Sequence, residues 1–233
     1  HRCDNQGNFH QFKKMTNDNQ FEVAIEDKVP TDFNLDKCNA TWQKAISLLD
    51  RKSSPAQKYL TNRGLISHLI DPCVGFVESL LYFDSKEISG HHPALVFQVT
   101  DESGKFVALQ RVYLTNEGYQ ANVPTPKKAL GPVNGGSIKF GNALNNVNLC
   151  EGPETAIAVY QKTQLPTWSC VSASGLENVI LPDSITTVHI WADKDKSKRG
   201  HVAAENLAQK LHFRGKSVFI HLPEEEISQG SKS

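Results

Sequence analysis

Val147-Asn148-Leu149-Cys150-Glu151-Gly152-Pro153-Glu154-Thr155-Ala156 is the stretch on which the reading of this sequence turns. Residues 147–150 suit a short strand, which ends at an acid. Gly152-Pro153 then opens a helix predicted over 153–162, since proline suits the first helical turn. The same change of period recurs downstream. Residues 167–171 and 187–191 read as strands, 199–213 as an amphipathic helix with Val202, Ala203, Leu207 and Leu211 on one side, and 217–222 as a last strand. Strands that alternate with helices build a parallel sheet with helices on its faces. Ligands of such sheets bind beyond the carboxyl ends of the strands.

Two acidic groups fall at that rim. Glu151 follows the strand ending at Cys150, and Asp193 and Asp195 follow the strand ending at Trp191. In an extended segment, residues i and i+2 point to the same side, so the two aspartates aim at one spot. Like charges that close raise each other's proton affinity. A divalent cation reverses the penalty, and hard oxygen ligands with open water positions suit Mg²⁺ or Mn²⁺. Glu151 then either completes a metal site or acts as general acid/base in phosphoryl transfer. An Asp-x-Asp pair is also the pattern of a solvated loop or a helix cap. Lys194, Lys196, Lys198 and Arg199 interleave with the pair. They either place phosphate-binding cations beside the carboxylates or form a solvated turn.

The upstream half has a different texture. Residues 1–35 are a polar lead-in with one short strand predicted at 21–25; His1, Cys3 and His10 lack the second ligand pair of a zinc site. Trp42, Ala45, Ile46 and Leu49 predict a helix over 35–50. Ser54-Pro55 and Gly64 bracket a second, over 55–63, presenting Tyr59, Leu60 and Arg63. Strands over 94–100 and 105–114 flank the hairpin turn Asp101-Glu102-Ser103-Gly104. Further strands are predicted at 119–123 and 137–140, with a loop over 124–136 whose lysines and glycines suit close approach to a phosphate.

Composition narrows the function classes. Hydrophobic residues at 39% and charged residues at 21% support a packed core rather than disorder throughout. Lys+Arg and Asp+Glu both number 25, which excludes binding to DNA by bulk charge but not a local basic groove. No apolar run approaches the roughly 20 residues that span a bilayer. Five scattered cysteines without a CxxC pair fit a reduced, cytoplasmic setting. The start at His1, with no signal peptide, reads as a piece cut from a longer polypeptide.

These residues resemble a known family. The stretch from Leu149 to Ala156, with Ala192-Asp193-Lys194-Asp195 and Gly200-His201-Val202-Ala203-Ala204, looks like a TOPRIM domain, shared by primases, topoisomerases and some nucleases. The wording is similar to primases of phages, plasmids and mobile elements, including the primase parts of conjugative proteins. Tyr59-Leu60-Thr61-Asn62-Arg63-Gly64-Leu65, His92-Pro93-Ala94-Leu95-Val96, Ala108-Leu109-Gln110-Arg111 and Leu130-Gly131-Pro132 follow the order of that group's smaller amino-terminal subdomain. The resemblance implies an α/β fold: a TOPRIM-type parallel sheet flanked by helices over 146–233, preceded by a smaller mixed α+β subdomain over 36–145.

It further implies a DNA primase catalytic core, a nucleotidyltransferase of DNA replication or conjugation. Such a core joins ribonucleotides on single-stranded DNA: a 3′-hydroxyl attacks the α-phosphate of a nucleoside triphosphate, and pyrophosphate leaves. Glu151, Asp193 and Asp195 would be its catalytic and Mg²⁺- or Mn²⁺-binding acids. Arg111, Lys127, Lys128 and Lys139 would fall along the template or nucleotide groove. Partners would be single-stranded DNA, nucleoside triphosphates, and a helicase or relaxase on the same or another chain, with no membrane. Replicative bacterial primases carry an aspartate at the place of Thr155; here Glu154 is the acidic neighbour, and one helical residue turns the direction by about 100°. Without a zinc module or a Gly-x-x-x-x-Gly-Lys-Ser/Thr loop, the chain reads as the catalytic core alone.

Two other readings share these residues: a TOPRIM metal-dependent nuclease or topoisomerase, and a non-catalytic DNA-binding module of a larger protein. None of Tyr59, Tyr82, Tyr113, Tyr119 and Tyr160 sits in a nucleophile motif. Trp42 and Trp168 read as core aromatics, Trp191 as packing beneath the aspartates, and Cys150 as a small apolar filler. His189 and His201 fall near the expected site.

Overall fold

The computed structural model describes residues 35–67, 72–84, 87–192 and 199–222. Helices α1 (Asp36–Trp42) and α2 (Ser54–Thr61) lead into four antiparallel strands, β1 (Val74–Asp84), β2 (Glu87–Thr100), β3 (Phe106–Tyr113) and β4 (Lys127–Leu130), which lie in that spatial order. A second sheet holds β5 (Ile138–Phe140), β6 (Asn146–Cys150), β7 (Thr167–Ser169), β8 (Thr187–Trp191) and β9 (Ser217–His221) in the order β5–β7–β6–β8–β9. In that sheet β6, β7, β8 and β9 run parallel, and only β5 is antiparallel to its neighbour. Helices α3 (Pro153–Thr163), α4 (Ala173–Glu177) and α5 (Arg199–Phe213) complete it. The α/β class, with an antiparallel subdomain before the parallel sheet, is therefore as expected. No described helix is long and apolar enough to cross a membrane.

Local chemistry explains the main turns. Asp101 Oδ1 accepts from the amides of Ser103 and Lys105, at 3.0 and 2.9 Å, and from the Ser103 hydroxyl. With Gly104 at φ +85°, this closes the β2–β3 hairpin. Pro153 occupies the first turn of α3, and Gly64 turns left-handed at φ +70° beyond α2. Buried rows then close the core. Leu95, Phe97, Ala108 and Val112 of the first sheet pack in one cluster with Phe140, Cys150, Ala156 and Ile157 of the second. Thr100 and Ser137 exchange backbone hydrogen bonds at 2.9 Å and stitch the sheets together. On the other face of the parallel sheet, Val147, Leu149, Val188 and Ile190 pack against α4 and α5.

Several expectations need correction. The helix predicted over 35–50 stops at Trp42, because Ile46 exchanges backbone hydrogen bonds with Phe76 and must extend to do so; Leu49 is left exposed. Residues 119–123 form no strand. They make a turn with a single bridge, Leu114 to Gln120, and Gly118 lies so close to α2 that a Cβ there would meet Lys58 at 2.4 Å. The predicted loop over 124–136 contains β4, which pairs with β3 through Leu109, Gln110, Arg111 and Val112. The strand at 167–171 ends at Ser169, two residues before Val171 turns to φ +72°. On α5, Val202 is half exposed and Ala204 takes its place in the core, because two residues rotate the side chain by about 200°. The lead-in up to residue 34, its strand at 21–25, and Asp193, Lys194, Asp195, Lys196 and Lys198 lie outside the described residues.

Helix α4 was not foreseen. It is five residues long and is closed by the Ser172 hydroxyl accepting from the Gly175 amide at 3.0 Å. A Cβ at Gly175 would stand 1.9 Å from the Cys170 carbonyl. Gly175→Ala should lower stability by about 3 kcal/mol through overpacking. Gly104→Ala, strained but with open space around it, should cost about 1–2 kcal/mol. Urea unfolding of the two variants checks the ranking.

Candidate active site

The rim of the parallel sheet is set by register. Cys150 of β6 lies opposite Ser169 of β7 on one side and Trp191 of β8 on the other. Glu151, Cys170 and Ala192 therefore leave the sheet at one level. The Ser169 hydroxyl donates to the Glu151 carbonyl at 3.2 Å and holds that turn. Trp191 donates its indole N–H to Asn148 Oδ1 at 2.9 Å, tying β8 to β6 just beneath the rim.

Above Glu151 opens a cleft of about 560 Å³. The parallel-sheet half contributes Glu151 after β6, Glu154 of α3 and Val171 beyond β7, and the antiparallel subdomain contributes Arg63, Gln110 and Lys127. Val171 is a β-branched residue in the left-handed region, a conformation that costs roughly 1–3 kcal/mol and clusters at functional sites.

One charged network crosses the cleft. Glu154, in the first turn of α3, accepts on Oε1 from the Tyr59 hydroxyl at 2.5 Å and from Lys127 Nζ at 2.7 Å. Gln120 Nε2 donates to the same Tyr59 oxygen at 3.3 Å, and the Arg63 guanidinium lies 3.7 Å over the Tyr59 ring. Burial alone would raise the Glu154 pKa; the Lys127 charge, with hydrogen bonds from Lys127 and Tyr59, outweighs it and holds the carboxyl below its usual range. Burial, then the Glu154 charge, push the Tyr59 hydroxyl well above its ordinary value. At neutral pH the network is phenol, carboxylate and ammonium.

The basic residues expected along a groove divide. Lys127 faces the cleft. Arg111 spends its guanidinium on the Lys128 and Ala129 carbonyls and the Tyr113 hydroxyl, bracing edge strand β4. Lys128 donates to the Phe83 carbonyl and lies over the Tyr82 ring. Arg111, Lys127 and Lys128 line a second cavity of about 490 Å³ that shares Lys127 and Ala129 with the first. Lys139 instead donates to the Asp101 carbonyl and sits over Trp168, and it lines neither cavity. Arg199 is the exposed first residue of α5. Among the described residues no group of three His, Cys, Asp or Glu could hold a metal; of the expected acids, only Glu151 is described.

The remaining candidates are structural. Cys150 is fully buried, and the neighbouring Cys170 thiol is pushed far up by burial and then by the Glu151 charge, so neither is a nucleophile. His189 Nδ1 and His221 Nε2 lie 3.0 Å apart, and burial lowers both pKa values. Their rings stack on Phe219 and Trp191. Trp168 is buried and Trp42 packs on the core. The placement of Tyr59, Arg63, Gln110 and Glu154 about the cleft is not marked by the sequence pattern. The only signal was the quoted Tyr59-to-Leu65 and Ala108-to-Arg111 stretches, in which a buried polar residue looks the same as an exposed one.

Residues 146–228 match the Toprim domain model, and residues 34–140 match a domain of unknown function, DUF7146. The carboxyl-terminal part of the chain is thus similar to Toprim domains. A search of curated proteins found no match. Among solved structures, a DnaG primase catalytic domain bound to single-stranded DNA is similar at a TM-score of 0.54 and 15% identity, over 82% of this chain and 72% of that one. The E. coli primase catalytic core is similar at 0.53 and 16%, over the same shares. The Aquifex aeolicus primase, with its zinc-binding and RNA polymerase domains, is similar at 0.52 and 14%, over 82% of this chain and 54% of that one. The fold is that of primase catalytic cores.

The ion pair yields an acid-limb prediction. A carboxyl whose folded pKa is depressed stabilises fully above its unfolded value, about pH 4.3, and the contribution is lost as pH falls through the folded value. Glu154→Gln should cost about 2 kcal/mol at neutral pH, less than a fully buried pair because the Lys127 side chain is 40% exposed. Urea midpoints followed from about pH 7 to pH 3 should fall more steeply in the wild type than in Glu154→Gln. Parallel curves would mean that the pair contributes nothing.

Proposed function

We propose that this chain is the catalytic core of a DNA primase, making short oligoribonucleotides on single-stranded DNA. The observation that carries the reading is Glu151, at the carboxyl rim of a Toprim sheet, opening on a cleft whose opposite wall supplies cations. A cleft of this size suits a nucleotide. Glu151, Asp193 and Asp195 would together hold a Mg²⁺ or Mn²⁺, and three carboxylates are the hard donors these ions select. When bound, the ion supplies positive charge at the reacting phosphates.

The chain's own residues do the rest. Lys127 and Arg63 offer donors to the triphosphate from the antiparallel side. Glu151 would take a proton or a cation at the rim. Lys194, Lys196, Lys198 and Arg199 would contact the template backbone, with Arg111 and Lys128 lining the neighbouring cavity. Template affinity should then fall with salt, as counterions are released. The resemblance to primases of phages, plasmids and mobile elements supports a role beside a helicase or relaxase in replication or conjugation.

Incubation with single-stranded template, labelled ribonucleoside triphosphates and Mg²⁺ or Mn²⁺ tests the reading. Labelled oligoribonucleotides are expected, and Glu151→Gln should reduce their yield on the order of 100-fold or more. Shortening of the template would establish a nuclease instead. Template binding without either product would leave a DNA-holding module.

A further inference from the structure

Gln110 is out of place in its strand. On β3, Ala108, Gln110 and Val112 share one face by the two-residue period, and Ala108 and Val112 both belong to the apolar core. Gln110 is only 5% exposed, and its Oε1 is buried without a hydrogen-bond partner among the described residues. Its cross-strand neighbours are Phe97 on β2 and Ala129 on β4. A buried amide oxygen left without a donor costs roughly 1–3 kcal/mol, and such exceptions call for an explanation. The explanation on hand is position, because the residue lines the cleft that holds Glu151, Lys127 and Arg63, and a turn about the broad terminal amide torsion presents the oxygen to it.

Of the charged groups of the cleft, Lys127 and Arg63 suit phosphate, and Glu151 suits a cation or a proton. Of its neutral polar residues, Gln110, Thr155 and Ser172, Ser172 holds the Gly175 amide, and Gln110 is the one with a buried oxygen that lacks a partner among the described residues. That oxygen can only accept, and an ionised triphosphate offers it no donor, so its partner is a neutral part of the ligand. Resting on the primase reading, we infer that Gln110 is a specificity-determining residue whose amide takes a hydrogen bond from a neutral donor of the bound nucleotide, a sugar hydroxyl or a base amine. A site built to pair with such a donor discriminates against an analogue that lacks it, since the buried group is then left unpaired.

Equilibrium nucleotide binding to the full chain in Mn²⁺, with thermal melting alongside, tests this. Gln110→Met is the variant, and Gln110→Leu serves if Met fails to fold. Removing an unpaired buried amide should not lower the melting temperature. The wild type is expected to prefer ATP over 2′-deoxy-ATP if the donor is the sugar hydroxyl, or ATP over inosine triphosphate if it is the base amine, by about three- to tenfold. The variant should lose that preference while still binding the poorer ligand as the wild type does. A variant that keeps every wild-type preference overturns the inference, as does one that melts lower while its nucleotide affinities stay unchanged. A wild type that binds Mn²⁺ but no nucleotide removes the primase reading, and the inference with it.

Discussion

Everything at the site depends on three parallel strands ending at one level. Cys150 stands opposite both Ser169 and Trp191, and neighbouring strands lie about 4.8 Å apart. A one-residue slip in β6 would turn Cys150, which packs under α3, toward α5 and move Glu151 off the rim. Two side-chain bonds guard the register from either side: Ser169 to the Glu151 carbonyl and Trp191 to Asn148. The position of Glu151 at the rim therefore rests on backbone pairing of β6 with its neighbours.

The cleft is a gap in a shared core. Phe97 and Val112 from one sheet pack with Phe140 and Ile157 from the other, so the walls are fixed by apolar contact that extends beneath both. The Glu154–Lys127 pair then spans the opening. A buried ion pair adds little net stability, because desolvation offsets the attraction, yet removing one partner is costly. Such a pair selects one arrangement of β4 against α3. It also sets Glu154 apart from Glu151, for its Oε1 is already taken by a phenol and an ammonium.

The parallel half was legible because its periodicity and its packing agree. The strand at 187–191 and the helix at 199–213 have the boundaries that their apolar spacing implies. In the antiparallel half, tertiary pairing overrode local pattern. Ile46 left its helical period to pair with Phe76, and the lysines at 127 and 128 became part of an edge strand that pairs with β3, where Arg111 holds the Lys128 and Ala129 carbonyls. Glu151 was legible as a strand-end acid. Gln110 was not, since nothing in one sequence marks a polar residue that lacks a partner in the fold.

The central claim is that Glu151 shares one divalent ion with Asp193 and Asp195. A crystal structure of the full chain soaked in Mn²⁺, read by anomalous scattering, addresses it directly. The account predicts a manganese peak at the rim of the parallel sheet, ligated by all three carboxylates. Manganese bound elsewhere, or a Glu151 side chain turned away from both aspartates in the presence of the ion, would contradict it.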